Sequence, residues 1–262
     1  MASISKKVAD RLAAGIKRFQ SILADAKNSD IGEADTVRIV TEILADVLGY
    51  DQFKEITSEL CVKSNRCDLA VKLDGKIRLP IEVKAIGFEF KQAHVDQAEG
   101  YAVHEGTDWA MLTNGVKWRI YAVTSGQPPT HDMIEEIDFL ELNPKDEADL
   151  AKLYLFTKEA LTKSVLEQHY WKLQAMSRFF LGAVILSDPV LAVVRRELRK
   201  VSPDVKIEVE EIRLAMTDEV LKRDVLDGER AEHARKKIAK SHKAKSKKDP
   251  ETEKASTLPT IP

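Results

Sequence analysis

The chain has 262 residues, 32% of them charged and 44% hydrophobic, with a formal net charge of −2. That length accommodates one core with an accessory region, or two small domains. Cys61 and Cys67 are too few for a disulfide framework and lack metal-ligand spacing, so a reducing, cytoplasmic setting is the default expectation. Lys6 and Lys7 are followed by no apolar run or small-residue cleavage site, which excludes a signal-peptide reading. The most apolar stretch, 179–194, is interrupted by Ser187-Asp188-Pro189 and is too short to span a bilayer, so no membrane segment is expected.

In chain order, residues 4–27 carry Val8, Leu12, Ile16, Phe19, Ile22 and Leu23 at helical spacing. A break at 28–32 precedes a second amphipathic helix over 33–48, with Val37, Val40, Ile43, Leu44, Val47 and Leu48 as its apolar stripe and Gly49 as its stop. Residues 56–62 predict a strand that feeds two alternating runs, 66–73 and 77–85. A helix is expected over 91–105. Two further strands, 108–113 and 116–121, flank Asn114-Gly115, a strong hairpin signal. Residues 33–123 thus predict α-β-β-β-α-β-β, an α/β (α+β) mixed sheet flanked by helices.

From 136 onward the pattern turns helical, over 150–181, 189–200 and 209–226, punctuated by Pro144, Pro189 and Pro203. Beyond Gly228 the sequence becomes rich in Lys and Arg, including Arg230, Arg235, Lys236, Lys237, Lys240 and Lys243, and predicts a disordered tail, or one helical only on contact with a partner. The expected organisation is an N-terminal helix (1–30), a mixed-sheet domain (31–140), a helical C-terminal region (141–228) and a basic tail (229–262).

The two alternating runs hold the chemistry. Cys67, Leu69, Val71 and Leu73 share one face of the first; Ile77, Leu79, Ile81, Val83 and Ala85 share one face of the second. For the apolar faces to coincide, paired residue numbers must sum to an even value, because a slip of one residue turns every side chain over. A three-residue loop, Asp74-Gly75-Lys76, meets that condition with Leu73 opposite Ile77 and Cys67 opposite Val83. Asp68 then faces Glu82 at roughly 5 Å between Cβ atoms, with Lys84 close by. Two carboxylates directly opposed on a sheet repel each other, and a hard divalent cation held by oxygens would relieve the repulsion.

Asp68, Glu82 and Lys84, each in an alternating strand, resemble the signature of PD-(D/E)xK nucleases, and the element order resembles that restriction-endonuclease-like core. Glu33 opening its helix, the Cys67-Asp68-Leu69-Ala70-Val71 strand, Ile81-Glu82-Val83-Lys84-Ala85, Gln97-x-x-x-Tyr101 and Thr113-Asn114-Gly115 together resemble the N-terminal nuclease domain of type I restriction enzyme R subunits, over about 31–125. No Gly-x-x-x-x-Gly-Lys-[Ser/Thr] loop is present, so the chain is similar to that domain without a motor. The resemblance implies a metal-dependent endonuclease acting on DNA in restriction or phage defence. It implies Asp68, Glu82 and Glu33 as metal ligands, with Mg²⁺ as the cofactor and Mn²⁺ a substitute. Lys84 is then the catalytic lysine, and Gln97 and Tyr101 order the site or meet the scissile strand. Glu42, further along the same helix, competes with Glu33.

A non-catalytic DNA-binding or assembly module on a nuclease fold is the alternative. Implied partners are DNA, a motor or methylation system, and a second copy through the C-terminal helices. Pro80 within the second strand predicts an edge or bulge near the site. His94, His104, His131, His169, His233 and His242 share no metal spacing and predict solvated surface.

Overall fold

The computed structural model describes residues 4–62 and 65–246. Contacts divide the chain into two compact units, Met1–Tyr170 and Trp171–Pro262. The first is a mixed α/β unit whose sheet has six strands in the order β1-β2-β3-β4-β5-β6. These are β1 (Ile56–Val62), β2 (Asn65–Leu73), β3 (Lys76–Val83), β4 (Trp109–Thr113), β5 (Lys117–Thr124) and β6 (Thr130–Asp138). All neighbours are antiparallel except β3 and β4, which run parallel and are joined by the crossover helix α3 (Gln92–Glu105). The strand β6 was not among the sequence expectations.

One face of the sheet is covered by α1 (Lys6–Asn28) and α2 (Glu33–Glu42). Beyond Glu42 the helix widens over Ile43–Val47, where the Leu48 N–H reaches the Ile43 carbonyl at 3.0 Å. Leu12, Ile16, Phe19 and Leu23 recur every three to four residues along α1, and all four are fully buried in the same core as Leu69, Val71, Ile81 and Val83. The helix expected at the N-terminus thus supplies one wall of the main core. Arg11 fastens it, donating to the Val47 carbonyl at 2.9 Å and to both carboxylate oxygens of Glu159 at 2.8 Å. Gln20 Nε2 donates to the carbonyls of Phe139, Leu140 and Leu142, closing the other end of the helix onto the segment after β6.

The hairpin between β2 and β3 differs in detail from its expectation. Its loop is the two-residue turn Asp74-Gly75, both with positive φ (51° and 75°), the mirror-image turn that matches strand twist. Leu73 therefore faces Lys76 and Lys72 faces Ile77, not Leu73 opposite Ile77. A bulge corrects the parity: Val71 pairs with Leu79, leaving Arg78 as the additional residue, and Leu69 then pairs with Ile81. Beyond the bulge the paired numbers sum to an even value, as the apolar faces require.

The helical run expected over 150–181 is divided. It forms α4 (Glu147–Tyr154), α5 (Lys158–Thr162), α6 (Val165–Ala175) and α7 (Arg178–Ile185). Thr157 and Ser177 each cap a new start, their hydroxyls accepting from the N–H groups of Ala160 and Phe180, and Ser164 adopts φ 55°. The unit boundary falls within α6 rather than at 140.

The second unit continues with α8 (Asp188–Val201), α9 (Val209–Ala215), α10 (Arg223–Leu226) and α11 (Glu229–Ser246). The helix α11 lies where a disordered tail was expected. Ala231 and Ala234 are buried, Ala234 packing with Phe180 and Ala183 of α7, while Ile238 adds a partly buried side chain to the same cluster. Lys237 lies over the Trp171 ring at 3.2 Å from its centroid. The last stretch of the expected tail, 247–262, lies outside the described residues.

Candidate active site

The even register beyond the bulge carries Asp68 to the side of β3 at Glu82 and Val83. Asp68 Oδ2 accepts the Val83 N–H at 2.7 Å, a charge-assisted bond that fixes the carboxylate against the strand. The Lys84 N–H turns the other way, to the Thr113 carbonyl of β4 at 2.8 Å. Along this alternation the nitrogen of Pro80 faces β4, one residue before the parallel ladder begins at Ile81, so the absent N–H costs no ladder bond. The bulge anticipated from Pro80 lies two residues upstream, and β3 is an interior strand.

Glu82 is 1% exposed, and its Oε1 accepts a short hydrogen bond from Lys84 Nζ. Its other oxygen, Oε2, has no hydrogen-bond partner, the single buried side-chain N or O atom so placed among the described residues. Lys84 Nζ also lies 3.7 Å from Glu33 Oε2, from the first turn of α2. Burial is the largest influence on Glu82 and pushes its carboxyl up to about 7; the Lys84 bond opposes the rise and the Asp68 charge adds to it. Burial likewise raises Asp68, against the pull of the Val83 N–H and Lys84. For Lys84, burial favours the neutral amine, but the bond to Glu82 and the charges of Glu33 and Asp68 outweigh it and hold the ammonium above its ordinary value.

Gln97 and Tyr101, one turn apart on α3, are joined by a bond from Gln97 Nε2 to the Tyr101 hydroxyl at 2.7 Å. Tyr101 is buried against Cys67, and burial, with smaller contributions from Glu82 and Asp68, raises its hydroxyl to about 12. The Cys67 thiol is itself pushed up to about 12 by burial and donates to the Leu69 and Ile81 carbonyls, which leaves it chemically quiet. Asp68, Glu82, Lys84 and Glu33 thus converge, with Gln97 and Tyr101 alongside. Glu42 does not join them: it pairs with Arg18 at 3.4 Å on the outer side of α1 and α2.

Hard oxygen donors with an unused buried lone pair fit a divalent cation that keeps waters in its shell. The fit is to a pair of carboxylates: among the described residues, no group of three or more His, Cys, Asp or Glu side chains is arranged to hold a metal ion. Sequence reading missed one neighbour. His94, expected as solvated surface, is half-buried, and burial together with the charges of Lys84 and Lys91 lowers its pKa. Its spacing to Gln97 and Tyr101, three and seven residues on, was the available signal, since these positions share a helix face.

The first unit is thus a mixed α/β domain with an acid–lysine cluster at the end of its central parallel pair. Residues 35–138 match the model of the family Type I restriction enzyme R protein N terminus (HSDR_N), less than half of the 262-residue chain. This is the family that the sequence motifs resemble, and it points to a nuclease or restriction-related role. The match includes Asp68, Glu82, Lys84, Gln97 and Tyr101 and begins two residues after Glu33. No curated protein and no solved structure matches the chain. No helix among the described residues is long and apolar enough to cross a membrane.

Proposed function

We propose that the protein is a metal-dependent nuclease of the PD-(D/E)xK type that hydrolyses phosphodiester bonds in DNA, in restriction or phage defence. The supporting observation is the orphaned Oε2 of Glu82, a buried carboxylate oxygen beside Asp68 and Lys84. Asp68 and Glu82 would hold the cation, most suitably Mg²⁺ with Mn²⁺ as a substitute. When bound, it would supply positive charge against the phosphoryl oxygens and a more acidic water. Lys84, held as an ammonium, steadies negative charge as it develops on the phosphate or orients the attacking water. Glu33, 3.7 Å from Lys84 Nζ, acts on that ammonium and would serve the cation directly or through water. The Val83 N–H orients the Asp68 carboxylate, and Gln97 and Tyr101 brace the wall of the site.

The test is incubation with linear, circular and single-stranded DNA in Mg²⁺, Mn²⁺ or EDTA, beside Lys84→Ala. Cutting that needs the cation and disappears in the variant supports the proposal. Cutting unchanged in Lys84→Ala, or no cutting and no cation bound by calorimetry, overturns it.

One observation favours a second reading, a DNA-binding or assembly module without catalysis: the acids do not close into a three-carboxylate cage. That reading expects equal DNA affinity in Mg²⁺ and EDTA. Under either, a motor or methylation system is the proposed partner. The exposed Met176, Val193 and Leu214 of the second unit support self-association through the C-terminal helices, which a strict monomer at micromolar concentration in sedimentation would refute.

A further inference from the structure

The loop between β3 and α3 presents a large apolar side chain to solvent at the rim of the site. Phe88 is 42% exposed, yet its backbone is pinned on both sides. Its N–H donates to the Ala85 carbonyl at 2.9 Å, and its own carbonyl accepts from Asn114 Nδ2 at 3.0 Å. Asn114 is itself buried, at 5% exposure, so the brace comes from inside the domain. One residue earlier, a Cβ on Gly87 would stand 2.6 Å from Asp30 Oδ1, so the loop lies close against the turn that leads into Glu33. The Phe88 ring meets His94, with centroids 5.2 Å apart, and Lys91 Nζ stands 5.6 Å from the ring centroid. Asn114, which holds the Phe88 carbonyl, directly follows Thr113, whose own carbonyl accepts the Lys84 N–H at 2.8 Å, and this sets the group beside the acid–lysine cluster.

We infer that Phe88 is a stacking platform for an unpaired nucleobase, with Lys91 attracting the adjoining phosphate, so that the site takes DNA that is locally single-stranded beside the bond to be cut. The inference rests on the nuclease reading and names its substrate class. Every base has a π face, so stacking on an aromatic ring is tolerant of sequence, whereas a base inside a duplex has both faces occupied by its neighbours. A ring carried on a backbone pinned by two hydrogen bonds and packed against His94 loses little freedom on binding. A cation beside the ring adds attraction for the phosphate that follows the base.

The experiment measures binding by the full chain in EDTA, where cutting is suppressed. It uses a short single strand carrying 2-aminopurine and a blunt duplex of the same sequence. The expected result is quenching of 2-aminopurine by the wild type. Phe88→Ala should lose affinity for the single strand by about tenfold more than for the duplex. Phe88→Leu, which keeps an apolar side chain without a π face, should behave like Phe88→Ala, and Phe88→Trp like the wild type. Absence of quenching, or single-strand binding by Phe88→Leu equal to that of the wild type, overturns the platform. Failure of the nuclease reading registers separately, as Lys84→Ala cutting at the wild-type rate.

Discussion

Lys84 Nζ donates to Glu82 Oε1 and lies 3.7 Å from Glu33 Oε2, so one ammonium ties a buried carboxylate of the sheet to the opening turn of α2. Replacing Lys84 by Met leaves Glu82 buried with neither oxygen bonded to that ammonium. An orphaned buried polar group costs about 1–3 kcal/mol, more when charged. Urea denaturation at pH 8 should show a loss of that order. At pH 5, where a still higher Glu82 pKa keeps the carboxyl protonated, the loss should shrink.

The raised Glu82 pKa carries its own pH dependence. Between its ordinary value of 4.5 and its folded value of about 7, the folded protein holds a proton that the unfolded chain has released. Stability in EDTA should therefore fall as pH rises through that window, by at most about 3–4 kcal/mol. Glu82→Gln should flatten this fall in denaturation curves taken from pH 4 to pH 8. A divalent cation must displace the same proton, so calorimetric Mg²⁺ affinity should strengthen from pH 6 to pH 8 and proton release should accompany binding.

Asp68 does two things that substitutions can separate. Asp68→Asn retains an oxygen for the Val83 N–H, now 2.7 Å from Oδ2, and should cost less than about 1 kcal/mol while abolishing cation binding. Asp68→Ala strands that N–H and should cost about 1–2 kcal/mol more. Equal stabilities for the two variants would show that the bond contributes nothing to the fold.

In the second unit, Ala234 is fully buried against Phe180 and Ala183. A carboxylate there would be desolvated without a partner, at a cost greater than the docking of one helix can bear. Ala234→Glu should undock α11 and speed tryptic cleavage around Lys236 and Lys240. Glu232→Ala, which removes only an exposed ion pair with Lys236, should leave cleavage near the wild-type rate.

What could be read in advance followed how strongly burial leaves a periodic mark. The helix α1 shows its stripe because Leu12, Ile16, Phe19 and Leu23 are all fully buried, and the acid–lysine cluster shows because side-chain parity ties it to an apolar face. The strand β6 lies at the sheet edge, with Ile134 and Ile137 buried but Met133 half-exposed amid Asp132, Glu135 and Glu136; a charged edge strand reads as a loop. The docked face of α11 is built chiefly of alanines, too small to stand out from its lysines. Phe88 and His94 belong to the site through a loop and a brace from Asn114, contacts that exist only once the sheet has formed.

The bulge at Arg78 shows that the interval between the two strand acids is elastic by one residue. The observed tight turn with its bulge, and the same turn on a β3 one residue shorter with no bulge, both set Val71 opposite Leu79 and so bring Asp68 and Glu82 to the same partners. Loss of a single codon between Lys76 and Leu79 would then straighten the strand and leave the acids where they are. A search for this constellation therefore has to let the gap between the two strand acids vary by one residue.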